Sequence, residues 1–501
     1  MKQTSRRTVA GVVMIFTAAL VWVFIISPNR VTVAQDKYKS GPAPAYQDLK
    51  YKTDLEFAKF LQKEWMKADI LPGISADIVP KPVDIPEAEI TDDDQERLEE
   101  AIDNSRSLKP ELVPPSPLPE PKPIPDKAPE PTMPRNLRTV HLDFFEASCE
   151  ISYEASLWVP LGRAVNNQLI GRFWESISRT NYEDFLAQAA YYRNRMILND
   201  WGFAFLLLKI GEEIYPNSSN GAVLFTWFML VKSGYDARVG YYKENVHLLL
   251  PSGNVWYGTP YFTIGSKTYY VAVFGNDTKQ VKSLFIYKEA YPGASKNVEV
   301  AVEQPPEISS QIKQRNTSFS YRGKTYDVAI DYDKATVDFF AAYPQTDLNV
   351  YFDAPVSKIA GASLIAALEP IVSGKSEAEA VNILLRFVQT AFDYKTDGEQ
   401  FGREKYFFPE EIFHYSHSDC EDRSVFFAYL VRNLTGLEVI GLDYPGHVAT
   451  AVKFSDALNG EYVTFNGTKY IICDPTYIHA NLGMCMPQFK EVTPDIVQIR
   501  T

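Results

Sequence analysis

The stretch SHSDCEDRSVFFAYLVRNL, at residues 416–434, places one cysteine among acidic residues and directly before an apolar run. Asp419 is a good helix N-cap, because its carboxylate can accept hydrogen bonds from the free N–H groups of a first turn. Asp422, three positions later, can bond back as the acidic partner of a capping box. The pattern therefore predicts a helix that begins near Cys420. Because the chain has only four cysteines, this position requires an explanation.

The position of Cys420 is typical of a nucleophile. Free backbone N–H groups and the positive end of the helix dipole favour a thiolate there, whereas the neighbouring acids oppose it. A cationic imidazole would decide that contest in favour of the thiolate. His447 opens the strand-like stretch HVATAV, and Asp474 ends the stretch KYIICD. The three residues together predict a Cys-His-Asp triad, in which the imidazole takes the thiol proton and the carboxylate fixes its tautomer.

Three blocks of sequence around these residues resemble the transglutaminase-like superfamily, which has a papain-like core. They are SDCEDRSVFFAYLVRNLTGLEVIGL at 418–442, GHVATAVKF at 446–454 and YIICDPTY at 470–477. The resemblance covers roughly residues 376–476. It implies Cys420 as nucleophile, His447 as base and Asp474 as orienting carboxylate, with residues 392–411 along the cleft. Because the family includes proteases, amidases, acyl-transferring cross-linkers and inactive members, it implies thiol-acyl chemistry at an amide more than any one substrate.

Two alternatives compete with the triad. His414, His417 and Cys420 recur every three residues, with His447 and His479 elsewhere, which is a spacing that a metal site could use. No C-x-x-C pair accompanies them, so the sequence predicts neither a metal nor a cofactor. In the other alternative, Cys420 is only a small apolar residue at a helix start, and the His and Asp blocks are coincidences.

The remaining cysteines are not predicted to be catalytic. Four cysteines are too few for a disulfide scaffold, although Cys473 and Cys485 lie close enough in sequence for one bridge. Cys473 alternates with Asp474 along a predicted strand, so its side chain should face the opposite side and pack in the core.

An offset of 200 residues aligns a second stretch with the first. SSNGAVLFTWFMLVKSGYDARV, at 218–239, places Asn220 over Cys420, and the same offset places His247 over His447. The corresponding strand, KTYYVAVF, carries no Asp. This pattern favours a duplication whose first copy lost its nucleophile and carboxylate and became a scaffold or binding surface. The alternative is that any helix followed by strands aligns this well by chance.

The N-terminal region predicts export and a stalk. Lys2, Arg6 and Arg7 precede an uncharged run at residues 8–29 that is long enough to span a bilayer. We interpret this run as an uncleaved membrane anchor, and cleavage after Ala34 is the alternative. Residues 49–69 have the apolar spacing of a docking helix. Eleven prolines at residues 110–134 predict a semi-rigid, extended spacer without packed contacts, or alternatively a proline-motif ligand.

The sequence as a whole predicts an α+β protein, because helices followed by antiparallel strands occur twice. Short strands are expected from residue 317 to residue 355, and a helix is expected at 376–392, with Ser376 as its N-cap and Glu379 completing a capping box. We expect a signal peptide or signal anchor at 1–34, a helix plus proline-rich spacer at 35–136, a degenerate transglutaminase-like domain at 137–295 and the domain with the triad at 296–501. The net charge of −13 argues against nucleic-acid binding.

The predicted function is that of a cysteine-dependent amide hydrolase that acts on a protein or peptide substrate, and within that class we expect a peptidase. The protein is expected in the periplasm or at the cell surface, held to the membrane by its N-terminal segment. A non-catalytic binding or structural protein on the same fold is the alternative, and a transamidating cross-linker is a third reading, because hydrolysis and transamidation use the same residues.

Overall fold

The structure is a computed structural model that describes residues 44–76, 81–82, 84–108, 124–125, 127–132, 136–274, 281–308 and 310–500, with side chains from residue 50 onward. The membrane segment predicted at residues 8–29 lies outside these ranges. Among the described residues, none of the helices combines the length and apolar character that crossing a bilayer requires. The chain from Lys50 onward packs into one compact unit.

The described helices are α1 (Pro44–Leu61), α2 (Asp92–Asn104), α3 (Asn167–Ile177), α4 (Tyr182–Arg195), α5 (Asp200–Ile214), α6 (Ser219–Lys232), α7 (Lys334–Ala341), α8 (Leu348–Asp353), α9 (Lys358–Val372), α10 (Glu377–Thr390), α11 (Asp397–Phe401) and α12 (Cys420–Thr435). The described strands are β1 (Met66–Asp69), β2 (Leu137–Phe144), β3 (Ala147–Glu154), β4 (Arg238–Tyr242), β5 (Asn245–Ser252), β6 (Tyr261–Ile264), β7 (Lys267–Val271), β8 (Ser283–Ile286), β9 (Ile312–Tyr321), β10 (Lys324–Asp333), β11 (Asp393–Tyr394), β12 (His417–Ser418), β13 (Glu438–Tyr444), β14 (His447–Lys453), β15 (Tyr462–Phe465), β16 (Thr468–Cys473) and β17 (Asp495–Gln498).

The first half of the body contains the hairpin β2–β3, helices α3 to α6 and an antiparallel sheet in the order β1-β8-β4-β5-β7-β6. Local chemistry sets several of these boundaries. The side chains of Asn166, Asn199 and Ser218 each accept a first-turn N–H and so begin α3, α5 and α6. Phe145 and Glu146 both have positive φ, as a two-residue turn between twisted strands requires.

The second half repeats this plan with the hairpin β9–β10, helices α7 to α12 and an antiparallel sheet in the order β15-β16-β14-β13-β17. The Ser376 hydroxyl accepts the N–H of Glu379 and begins α10, as predicted. The reciprocal bond of that capping box is replaced, because the Glu379 carboxylate accepts from Lys375 instead. Gly436 ends α12 in the left-handed conformation, with φ of 72°, which glycine adopts at little cost.

The two sheets have the same strand order. The first reads β8-β4-β5-β7-β6 and the second β17-β13-β14-β16-β15, and every neighbouring pair is antiparallel. In each half a mostly buried helix, α6 or α12, leads directly into the central hairpin. Strand β1 extends only the first sheet, by pairing with β8. The α+β class predicted from the sequence is therefore confirmed.

Two local predictions were wrong. The helix expected at residues 49–69 ends at Leu61, and its last four residues form β1, because the edge of β8 offers backbone hydrogen bonds that they satisfy as a strand. The strands expected through residue 355 stop at Asp333. There the Asp333 carboxylate accepts the N–H of Ala335 and begins helix α7.

The proline-rich segment contacts the body in its described residues. The backbone N–H of Thr132 donates to the Asp184 carboxylate at 2.8 Å, and the Thr132 hydroxyl donates to the same carboxylate at 2.9 Å. Ile124, Pro125 and Pro129 line a cavity against helix α4. The expectation of a spacer without packed contacts is therefore wrong for this part of it. Most of the other prolines lie outside the described residues.

Candidate active site

The cysteine predicted as nucleophile is the first residue of helix α12. The Asp419 backbone N–H donates to the Asp422 carboxylate at 3.2 Å, which closes one side of the predicted capping box. Cys420 is fully buried, with none of its surface exposed. The backbone N–H of Val448 acts on its sulfur in the direction that lowers the pKa of the thiol. The Ser424 hydroxyl donates to the Val448 carbonyl at 2.9 Å, so the first turns of α12 are held against the start of strand β14.

The predicted base and carboxylate are bonded to each other. His447 opens β14, Asp474 directly follows β16, and these two strands are neighbours in the sheet. His447 Nε2 and Asp474 Oδ2 are 2.9 Å apart. Asp474 Oδ1 accepts the backbone N–H groups of Thr476 and Tyr477, which fixes the orientation of the carboxylate. The imidazole stacks on Phe489, with ring centroids 5.0 Å apart and planes 13° apart.

Among the described residues, no hydrogen bond links the Cys420 thiol to the His447 imidazole. The Cys420 thiol donates to Glu421 Oε2 at 3.3 Å. The second ring nitrogen of His447, Nδ1, is buried and has no hydrogen-bond partner among the described residues. Since the Ser424 hydroxyl joins α12 to Val448, the residue after His447, the structure brings the two elements together, but the described residues show no thiol–imidazole bond of a working pair.

Burial and negative charge keep the thiol protonated in this arrangement. Burial, followed by the charge of Glu421 and then Asp419, raises the pKa of Cys420 well above its ordinary value. The ammonium of Lys81 and the N–H of Val448 act in the opposite direction and are outweighed. The helix start favours the thiolate, but the surrounding acids and the exclusion of water outweigh that effect.

A buried acidic cluster adjoins Cys420. Asp397, Asp419 and Glu421 each place a carboxylate oxygen within 4.8 Å of the others, and all three side chains are buried. Such oxygens could hold a metal ion, but the Lys81 ammonium lies on this cluster, bonded to Glu421 and to Asp419 at 3.2 Å. It also bonds Glu404 at 2.9 Å. Burial and the charge of Asp419 raise the pKa of Asp397 to about 8.

The histidines proposed as metal ligands are dispersed. His414 Nδ1 lies 3.2 Å from the Tyr332 hydroxyl, His417 Nδ1 lies 2.7 Å from the hydroxyl of the preceding serine, and His479 Nδ1 lies 2.6 Å from Arg386. In the described part of the chain, the three carboxylates of the acidic cluster are the one group with metal-ligand spacing. The structure thus gives no support to a metal site built from these histidines and Cys420.

The other cysteines are buried and unbridged. Cys473 is in the core, as predicted, and burial raises the pKa of its thiol. Burial also raises the pKa of Cys149 to about 12 and that of Cys485 to about 11. Cys473 and Cys485 form no disulfide. None of these three thiols is joined to a histidine by the hydrogen bonds of the described residues.

In the first half, Asn220 lies in the first turn of α6 and faces the strand that carries His247. Its side-chain amide donates to the Glu244 carbonyl at 2.7 Å and accepts the Val246 N–H at 2.8 Å. Asn220 therefore fastens the helix start to the beginning of β5. In the second half, the Ser424 hydroxyl makes the comparable link, because it donates to the Val448 carbonyl at the beginning of β14.

The hairpin register corrects the position assigned to His247. The β4–β5 hairpin closes with the pair Tyr242 and Asn245, and the β13–β14 hairpin closes with the pair Tyr444 and His447. Counted from the turn, Asn245 takes the place of His447, and His247 lies two residues further along its strand. The constant offset of 200 fails here because the first hairpin begins two residues earlier relative to the second.

Sequence reasoning missed four of the groups around the thiol and the imidazole. Glu404 and Asp397 fall in the stretch 392–411 that the resemblance placed along the cleft, so their position could have been suspected. Phe489 and Lys81 carry no local signal of their roles. Lys81 lies 339 residues before Cys420 in the chain, among prolines that indicate only an extended segment.

The comparison with known proteins returns nothing that could replace these arguments. No protein-family model, curated protein or solved structure matches this chain. The geometry of Cys420, His447, Asp474 and the acidic cluster is therefore the basis for any functional assignment.

Proposed function

We propose that this protein is a cysteine-dependent amide hydrolase on a transglutaminase-like fold, with a peptide or protein as substrate. The observation that carries the proposal is the 2.9 Å bond between His447 Nε2 and Asp474 Oδ2, with the other ring nitrogen buried and without a hydrogen-bond partner among the described residues. Helix α12, which begins at Cys420, packs against β14, which begins at His447. A carboxylate on Nε2 keeps the proton on that nitrogen. It leaves Nδ1 as the lone-pair nitrogen that a base requires.

Cys420, His447 and Asp474 each have one role in the proposed reaction. The thiol exchanges its bond to Glu421 for one to His447 Nδ1, and Nδ1 takes the proton. The thiolate attacks the amide carbonyl carbon, and the imidazolium returns the proton to the leaving amine as the C–N bond breaks. Water then attacks the thioester with His447 as base, which releases the acid and restores the thiol. The Asp474 carboxylate stabilises the imidazolium throughout.

The first half of the body is, on this proposal, a degenerate copy of the second. The identical strand order and the buried helix that leads into each central hairpin support a duplication. Asn220 fastens the helix start to the hairpin, where the second half has Cys420. Asn220 and Asn245 supply no ionisable nucleophile or base, so the first half has a structural or binding role.

Export and membrane anchoring remain part of the proposal. They are supported by the basic residues and apolar run at the N-terminus, which would hold the body in the periplasm or at the cell surface.

One observation favours the non-catalytic alternative. Cys420 is fully buried, and its pKa is raised, so an amide cannot reach a thiolate in the arrangement described. A binding protein that inherited the fold would need no more than this. The two readings differ in whether His447 governs the reactivity of the thiol.

A peptide-like thiol electrophile tests the proposal on the full chain. We expect covalent labelling at Cys420, mapped by mass spectrometry, with a rate that falls about 10²-fold or more in the His447→Ala protein. Cys420→Ser removes the labelled site and serves as the blank. Equal labelling rates in the wild-type and His447→Ala proteins would show that the imidazole does not activate the thiol, and the enzyme assignment would fail.

A further inference from the structure

The side chain of Lys81 reaches a site built from distant parts of the chain. Its ammonium contacts Glu404 in the loop before α12, Asp419 at the helix N-cap and Glu421 in the first turn. The Lys81 side chain is 4% exposed, and its ammonium lies 5.4 Å from the centroid of the Tyr406 ring. A buried ammonium with three carboxylate partners is held in a site, whereas the ammonium of a surface lysine stays in water.

The residues that follow Lys81 are held by hydrogen bonds at two places near the site. The Tyr394 hydroxyl donates to the Pro82 carbonyl at 2.7 Å. Ile478 N–H donates to the Pro86 carbonyl at 3.1 Å, and Ala88 N–H donates to the Ile478 carbonyl at 2.8 Å. We call residues 81–82 and 84–88 the cleft segment.

One anchor of the cleft segment belongs to an element next to the thiol, and the other belongs to the loop next to Asp474. Tyr394 belongs to β11, which pairs with β12 just before α12 and Cys420. Ile478 lies in the loop that follows Asp474. The cleft segment thus runs from the thiol side to the carboxylate side and is held by backbone hydrogen bonds, as extended peptides are held by their receptors.

Charge balance requires an occupant of this kind. Three buried carboxylates within 4.8 Å of one another repel, and one oxygen of the group, Asp419 Oδ1, is buried without a hydrogen-bond partner. Burial acts to lower the pKa of Lys81, but the charges of Glu421 and Asp419 outweigh it and raise that pKa well above its ordinary value. The guanidinium of nearby Arg423 donates its hydrogen bonds to Ser418 and to backbone carbonyls.

We propose that the acidic cluster is a binding site for an ammonium group presented on an extended chain segment, and that Lys81 of this chain is its intramolecular occupant and keeps Cys420 covered. The binding site does not require Cys420 to be a nucleophile. Its consequence for activity rests on the proposed function, because a covered thiol matters only if that thiol reacts. The protein described is then a closed form, and displacement of the cleft segment exposes the thiol.

Removing the ammonium has two opposing effects on the thiol. The loss of one positive charge disfavours the thiolate, whereas admission of water removes burial, the largest cause of the raised pKa of Cys420. Without Lys81 the buried carboxylates must be hydrated or protonated, and the cleft segment loses the ion pairs that hold its first residue in place. Exposure therefore dominates, and the thiol becomes more reactive.

The test compares two buried lysines in the full-length protein. We expect Lys81→Met to raise the rate of iodoacetamide labelling at Cys420 by at least about tenfold, and Lys81→Arg, which keeps the charge, to raise it less. Lys232 is the matched control, since it is equally buried in an ion pair with Asp54 in the first half. Lys232→Met should leave Cys420 labelling unchanged. An unchanged rate in Lys81→Met would overturn the proposal.

A peptide with the sequence of residues 81–91 extends the test. Added to the Lys81→Met protein, it should slow labelling of Cys420 again, whereas the same peptide with methionine in place of the lysine should not. Equal effects of the two peptides would contradict an ammonium site. If Lys81→Met unfolds, which labelling of Cys149 would reveal, Tyr394→Phe loosens the cleft segment more gently and should still raise labelling about twofold. No increase in that variant would also overturn the proposal.

The same proteins separate this inference from the proposed function. If Lys81→Met raises labelling and a further His447→Ala leaves it raised, the ammonium site stands and the catalytic triad fails. If Lys81→Met changes nothing while wild-type labelling depends on His447, the triad stands and the ammonium site fails.

Discussion

The two sheets share a strand order and differ in the side chains at the point where helix and hairpin meet. In the first, the Asn220 amide ties the start of α6 to the backbone of β5 with two hydrogen bonds. In the second, the same junction holds the Cys420 thiol, with His447 at the start of the neighbouring strand. The scaffold therefore provides a junction between a helix N-terminus and a strand, and the residues placed there decide whether it can do chemistry.

The two halves also differ at the residue that follows the strand beside the central hairpin. Asp474 follows β16 and bonds His447, whereas Ala272 follows β7 and offers no carboxylate. The second half also surrounds its junction with buried acids and covers it with the cleft segment. If the proposed function holds, the cluster of Asp397, Asp419 and Glu421 is the charged surrounding that distinguishes the second junction from the first.

The largest effect is expected for His447→Ala, and His247→Ala is its control. His447→Ala should lower the rate of Cys420 labelling, and any amide hydrolysis, by about 10²–10⁴-fold, because the thiol loses its base. His247→Ala should change neither rate, since the hairpin register places Asn245 at the corresponding position. Both rates are measured at equal pH with the fold checked by circular dichroism. A similar loss in His247→Ala would break the distinction between the two halves.

A somewhat smaller loss is expected for Asp474→Asn. The amide keeps the size of the side chain but can donate to Nε2, which favours the tautomer with its proton on Nδ1 and removes the acceptor for the thiol proton. We expect a loss of about 10²-fold in the labelling rate, with the pH at half-maximal rate displaced. Ala272→Asp is the companion change in the first half and should create no reactivity at any cysteine. A wild-type rate in Asp474→Asn would remove the carboxylate from the mechanism.

The acidic cluster makes stability depend on pH in a direction opposite to that of an ordinary salt-bridged acid. Burial and Asp419 raise the folded-state pKa of Asp397 to about 8 from an ordinary value of 3.8, so the folded protein binds more protons than the unfolded chain between these pH values. The free energy of unfolding should therefore fall as pH rises from about 4 to about 8.

Asp397→Asn tests that dependence with a neutral side chain that can still accept the Lys405 N–H. The fall in stability over the same pH range should become shallower than in the wild-type protein, as measured by urea unfolding at several pH values. The other acids with a raised pKa in the cluster region, Glu421 and Asp422, should retain part of the slope. An identical slope in the variant would show that Asp397 does not titrate with folding.

The smallest effect is expected when the first half is given a thiol. Asn220→Cys should remain a thiol of ordinary reactivity, because neither an imidazole at residue 245 nor a carboxylate at residue 272 is present to activate it. The loss of two hydrogen bonds should lower the free energy of unfolding by about 1–2 kcal/mol, measured by urea denaturation. Labelling of this cysteine as fast as that of Cys420 in the Lys81→Met protein would show that the junction alone activates a thiol.

The sequence determined the local framework of the site. Asp419 and Asp422 predict the start of α12 at Cys420, and alternating apolar residues predict strands that begin at His447 and end beside Asp474. These features depend on hydrogen bonds and side-chain directions within a few residues, so a single stretch contains the information. The same reasoning correctly placed Cys473 in the core and the N-cap of α10 at Ser376.

Only the tertiary structure decided how that framework is filled. The Lys81 ammonium, the Phe489 ring on His447 and the pairing of β1 with β8 join residues far apart in the chain, and no local pattern encodes their partners. The register that replaces His247 by Asn245 depends on where a hairpin closes, which a constant sequence offset cannot follow. The raised pKa of Cys420 has the same origin, because burial and the charges around a thiol are set by every chain segment that packs against it.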